Sequence, residues 1–334
     1  MRKITLSLAA LGAMLALVAS GTGVHAQLLQ SWVASFGSNS NPCTRAQPCQ
    51  TFTFALTKTA AGGEIKCVDQ GEYGGGGATI INMSITIDCE DVEGAVLIDS
   101  FSTGFDIAAG PSDTVTLRGL DIVGSRIGET GIFFETGGAL HVEKCVIHDF
   151  VQFENFGEGW GIHIAQTAQA SAEIYVSDTT IINNGSNGNG GGILIEPSSQ
   201  AGGVRKVVLN RVEVRNNLFG IKAVGGSAIG VINMTVRDSV STGNAINGIV
   251  GTGSANGAAI VMMIDHSAAS HNIAGFGVIA DGPKTTIRLV GSSIAGNPNG
   301  VGVSNGGVLQ SFGTNAIMGN SNDGIASLTL VGLH

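Results

Sequence analysis

The sequence predicts an all-β solenoid, a parallel β-helix of about ten or eleven coils. Three observations predict it. The 334 residues include 52 Gly but only 5% aromatics. From about residue 113 a strand pattern recurs, and in its last six units an Asn stands at one fixed offset. Glycine at this level opposes helices, so a coiled coil or helical repeat is excluded. Collagen is excluded because Gly follows no three-residue period and there are only 6 Pro. A mean hydropathy of +0.30 with 12% charged residues does not fit disorder.

Each unit opens with a strand whose inward aliphatic serves as an anchor: Leu117, Val142, Val176, Leu209, Val236, Ile264, Leu289 and Phe312. An apolar residue two positions earlier completes the alternation of a strand with one buried face. A second buried position lies five residues on, from Ile122 to Ile317. The fixed Asn are Asn184, Asn217, Asn244, Asn272, Asn297 and Asn320, and each is followed by a Gly-aliphatic pair. Stacked coils about 4.8 Å apart would align these amides into a hydrogen-bonded ladder. Asn also tolerates the left-handed conformation of a sharp corner. Ser239, Ser241 and Ser267 fall at inward positions. Less regular strands between Ile65 and Ile107 predict two or three further coils upstream.

Residues 1–26 have the form of a secretory leader. Arg2 and Lys3 precede an apolar run, and Val24-His25-Ala26 is a small-x-small cleavage site. The expectation is a secreted, periplasmic or cell-surface protein with no membrane span once the leader is removed. The net charge of −9 becomes more negative without the leader, and no Lys/Arg cluster exists, which argues against nucleic-acid binding. Cys43 and Cys49 bracket a short loop, while Cys67 and Cys89 end β-rich runs about one coil apart. Two disulfides and a buried Cys145 are expected; zinc is the alternative, without a Cys-x-x-Cys or paired His to support it.

The segment Trp32 to Thr44 continuing through Pro48-Cys49-Gln50-Thr51-Phe52 resembles the opening of pectate-lyase-like right-handed parallel β-helices. There an aromatic-Val strand, a polar turn and a Pro-aromatic-x-Thr segment precede a capping helix. The resemblance implies a right-handed solenoid, a short N-terminal helix over Thr51–Ala61 stopped by Gly62-Gly63, and a first coil at Glu64–Tyr73. Residues 27–63 then form the strand, loop and cap, and 64–334 the solenoid. Cys43 and Cys49 replace a Gly and an aromatic of the pattern, a paired departure that favours a Cys43–Cys49 bridge. The chain looks like exported bacterial β-helix repeat proteins. The polygalacturonase, alginate epimerase and pectate lyase catalytic motifs do not carry over, and fold alone does not imply their chemistry.

Candidate chemistry falls in two places. Outward residues flank the anchors in columns, with Arg118 one rung from Glu143 and Arg237 one rung from Asp265. These are cross-strand ion pairs on a solvated face. Alternatively His141, Glu143 and Tyr175 are acid/base groups of a polysaccharide lyase or hydrolase. The second place is the aromatic-rich loop after Phe150. Phe153, Phe156 and Trp160 can stack on sugars while Glu154 and Glu158 bond hydroxyls, or the rings can fold onto the solenoid wall. Asp88, Glu90, Asp91 and Glu93 are a solvated acidic turn or a weak Ca²⁺ site. The apolar tail 327–334 has no obvious cap; it folds over the last coil or mediates self-association. These features favour an exported carbohydrate-binding or cell-surface structural protein. A polysaccharide-cleaving enzyme and an adhesive, self-assembling protein are the alternatives.

Overall fold

The computed structural model describes residues 27–151, 158–167, 170–186, 188–199 and 201–332. Residues 1–26, for which the sequence suggests a leader, and three residues of the aromatic loop, Phe153, Glu154 and Phe156, lie outside them. Three parallel sheets of 12, 10 and 9 strands run the length of the molecule. Successive strands visit the 12-stranded sheet, then the 10-stranded, then the 9-stranded, and every pairing between strands is parallel. We call these the long-strand, short-strand and third sheets. The chain is a parallel β-helix.

Period-two alternation builds the walls. In the long-strand sheet Ala139–Glu143 pairs with Thr114–Arg118 on one side and with Ala172–Ser177 on the other. Leu140 and Val142 point inward and are buried, joining one aliphatic core. A short helix, Phe52–Lys58, precedes the first coil, with the Thr51 side chain accepting the Phe54 N–H as its N-cap. It is shorter than the Thr51–Ala61 expected. The chain turns extended at Thr59 and runs as a strand through Gly62 and Gly63 to Cys67, so the glycines do not stop the helix. The disulfides are Cys43–Cys49 and Cys67–Cys89, and Cys145 is a buried thiol.

The asparagine ladder forms as expected, with one correction. Asn184 Nδ2 donates to Asn217 Oδ1 at 3.0 Å, Asn244 to Asn272 at 3.0 Å, Asn272 to Asn297 at 2.8 Å and Asn297 to Asn320 at 2.9 Å. Asp323 Oδ1 then receives both the Asn320 backbone N–H and its amide, ending the ladder. However, the left-handed corner residue is the one before the ladder Asn: Asn183, Asn216, Gly243, His271, Gly296 and Gly319 have positive φ. The ladder Asn itself turns its amide inward. The Gly-aliphatic motif is the other half of this corner. A Cβ at Gly248 would lie 2.7 Å from Asn272 Nδ2 and 2.7 Å from the Gly277 carbonyl, so only glycine leaves room for the ladder.

A second ladder closes the corner between the long-strand and short-strand sheets. Ser239 N donates to Ser267 Oγ, Ser267 N to Ser292 Oγ and Ser292 N to Asn315 Oδ1. Ser239 and Ser267 are therefore members of a hydroxyl column, whereas Ser241 bonds the Gly248 carbonyl. In the last coil the anchor is Ser311, not Phe312, since Ser311 pairs with Leu289 and is buried. The coil takes up an extra residue beyond Ser311, which restores Ile317 and Asn320 to their columns. The tail folds over this coil through a turn at Ile325–Ser327 and adds Thr329–Leu330 to the long-strand sheet. Among the described residues no helix is long and apolar enough to cross a membrane.

Candidate functional site

The outer face of the long-strand sheet carries a cleft. It encloses about 450 Å³ and is lined by His141, Glu143, Glu173, Tyr175, Lys206 and Val208, together with Ile174. Parallel pairing puts His141 and Tyr175 on adjacent rungs in register, and their rings meet edge to face with centroids 6.1 Å apart. All three sequence candidates for acid/base chemistry, His141, Glu143 and Tyr175, thus come together.

Their partners differ. Glu143 is held by Arg118, whose guanidinium approaches it to 2.8 Å and also reaches Asp88 at 3.5 Å and Glu90 at 3.8 Å. With Lys66 at 3.7 Å from Asp88, the proximal end of the face is a chain of alternating charges. Glu173 binds Lys206 at 2.8 Å across the next rung, and the ammonium holds its carboxyl below the ordinary range. Both carboxylates of the cleft are therefore ion-paired, while the His141–Tyr175 pair presents an aromatic edge and face.

Glu173 and Lys206 are absent from the columns read in the sequence. The strands extend one side-chain pair further than the anchor pattern requires, giving a third outward column through Glu173, Lys206, Asn233 and Val261. The signal is visible once two more residues are granted to each strand. A second hollow of about 340 Å³ continues along this face and shares Lys206 and Val208. Its far side is formed by Val261, Met263 and Arg288. Together the two make a groove along six rungs, about 24 Å by strand spacing.

Of the aromatic-loop candidates that are described, neither joins this groove. Trp160 begins a strand of the third sheet, is 2% exposed, and stacks on Phe219 with centroids 6.4 Å apart. Gly191 occupies the rung between them, where a Cβ would lie 2.6 Å from the indole. The ring offered by the sequence for sugar stacking is instead packed into the wall. Glu158 pairs with His163 Nδ1 at 3.0 Å, which lowers its carboxyl pKa, and lies on the third-sheet side. The acidic turn is engaged by cations and amides: Asp88 with Lys66 and Arg118, Glu90 with Lys144, and Glu93 with Gln70. No group of three or more His, Cys, Asp or Glu side chains converges as a metal site among the described residues.

No known family and no curated protein matches the chain. Among solved structures it is similar to pectate lyase Pel9A, with 16% identity and a TM-score of 0.53, covering 87% of this chain and 79% of that one. It is also similar to a rhamnogalacturonan lyase, with 14% identity and a TM-score of 0.42, covering 78% of this chain and 82% of the other. The likeness is one of fold.

Proposed function

We propose that this is an exported glycan-binding β-helix whose binding surface is the groove on the long-strand sheet, centred on His141 and Tyr175. The observation that carries the reading is the pair of hollows joined through Lys206 and Val208. They form a long trough with an aromatic platform at one end and polar side chains along its walls. An extended polymer of hydroxyl-bearing rings suits such a surface, stacking its C–H faces on Tyr175 and Val208 while Lys206, Asn233 and Thr235 bond its oxygens. The leader motif and the two disulfides fit an oxidising compartment outside the cytoplasm.

A second reading takes His141 and Tyr175, side by side on adjacent rungs, as acid and base groups that each act on the substrate of a polysaccharide lyase or hydrolase. Binding without cleavage is favoured because Glu143 and Glu173 are both committed to cations. The test is a panel of polysaccharides offered to purified protein, with binding and newly formed chain ends both measured. Binding without product, weakened about tenfold by Tyr175→Ala, supports the reading. Product formation abolished by His141→Gln would replace it with the catalytic one.

A further inference from the structure

We propose that Asn305–Gly306 is a site of spontaneous covalent modification, at which the Asn305 amide becomes a carboxylic acid through a cyclic imide. The chemistry requires a following residue without a side chain and a backbone nitrogen free to lose its proton. Six Asn–Gly junctions lie among the described residues, beginning at Asn184, Asn189, Asn247, Asn256, Asn299 and Asn305. In five the glycine N–H is already bonded. Gly185 donates to the Phe150 carbonyl at 2.8 Å, Gly248 to Phe276 at 2.9 Å, Gly257 to Ser254 at 3.1 Å and Gly300 to Asn322 at 2.7 Å. Gly190 donates to Asn189 Oδ1 at 2.9 Å. The Gly306 N–H donates to no group among the described residues.

The surroundings favour the same junction. Asn305 and Gly306 are both exposed, in a turn between a third-sheet strand and the following long-strand-sheet strand. Their φ values of 48° and 84° place both in the left-handed region, with Gly307 following. Asn184, by contrast, is wholly buried in the ladder. Asn305 Nδ2 donates to Asp281 Oδ1 at 2.7 Å and to Ser304 Oγ at 3.0 Å, so the nitrogen that would leave is the atom through which the amide holds this corner.

The step balances without an oxidant or reductant. Hydroxide removes the Gly306 N–H proton, and that nitrogen bonds to Asn305 Cγ. The Cγ–Nδ2 bond breaks and ammonia leaves, taking a proton from water. Water then opens the imide at either carbonyl, giving aspartate or isoaspartate. The new carboxylate faces Asp281, which loses a donor and gains a like charge, so the corner at Ser304–Gly307 is loosened beside the last coil.

The test is tandem mass spectrometry of the intact, folded protein after prolonged incubation in mildly alkaline buffer, scoring amide-to-acid conversion at every Asn–Gly. Conversion at Asn305 should outpace Asn247, Asn256 and Asn299 by about tenfold, with isoaspartate at position 305 and none in Asn305→Gln. Equal rates at Asn256 or Asn299 would overturn the proposal. So would an unchanged Asn305 in folded protein under conditions that convert the same junction in urea-unfolded chain.

Discussion

From Asn184 to Asn297 each corner after the short-strand sheet is sealed by an amide that bonds the next coil, whereas among the described residues the coils before Phe150 have no such amide. In their place the proximal coils have the Cys67–Cys89 disulfide between neighbouring rungs and the alternating charges of Lys66, Asp88, Arg118 and Glu143 on the outer face. Phe150 stands where the ladder begins. Its N–H donates to Asn184 Oδ1, and its buried ring fills the corner against Gly128 and Gly131. Each coil is thus tied to its neighbour by some device, and of these devices only the amide ladder also satisfies buried backbone groups. The device can be a repeating amide or a local mixture of covalent, ionic and aromatic parts.

This comparison can be broken at either end. The largest effect is expected inside the ladder. Asn244 is fully buried, its Oδ1 accepts the Asn217 backbone N–H at 3.1 Å, and its Nδ2 reaches Asn272 and Ser241. Asn244→Ala strands several buried polar groups and should cost about 4 kcal/mol in chemical denaturation. In the proximal coils, Cys67→Ser with Cys89→Ser opens a loop spanning a sequence separation of 22 residues. The expected cost is about 3 kcal/mol, with early loss of hydrogen-exchange protection confined to coils before Phe150. Uniform loss of protection along the chain would deny the two regions their separate supports.

A smaller effect is set by pH. His148 lies between Asp121 at 3.1 Å and Asp149 at 2.7 Å. The hydrogen bond to Asp121, reinforced by Asp149 and opposed by desolvation, raises its pKa from 6.5 to about 9. The folded state therefore holds this proton more tightly than the unfolded state. The stabilisation is fully present below about pH 6.5 and is lost as pH rises through about 9. His148→Gln should remove that slope from the stability profile. The smallest effect belongs to Arg237→Ala, whose 3.7 Å contact with Asp265 is on a largely exposed guanidinium. Its cost in thermal unfolding should stay under about 0.5 kcal/mol.

The repeat, the ladder and both disulfides were legible because each is written as a spacing, and spacing becomes register when coils stack. The last anchor was misplaced at Phe312 because one extra residue in that coil shifts the count while leaving the alternation intact. The left-handed corner was attributed to the ladder Asn because conformational tolerance does not say which of two adjacent residues turns, as Asn183 and Asn184 illustrate. His141, Glu143 and Tyr175 were found from their columns. Glu173 and Lys206 were missed because the third column depends on how far each strand extends. Trp160 could not be placed from sequence, since its burial depends on Gly191 and Phe219 in the following two coils.

The proposed ligand surface is the groove of the long-strand sheet and not the opposite wall. Calorimetric titration of a polysaccharide that binds the protein tests it most directly, comparing Tyr175→Ala with Lys222→Ala on the third sheet. Tyr175→Ala should weaken binding by about tenfold or more while Lys222→Ala leaves it unchanged. Binding lost in Lys222→Ala and intact in Tyr175→Ala would contradict it.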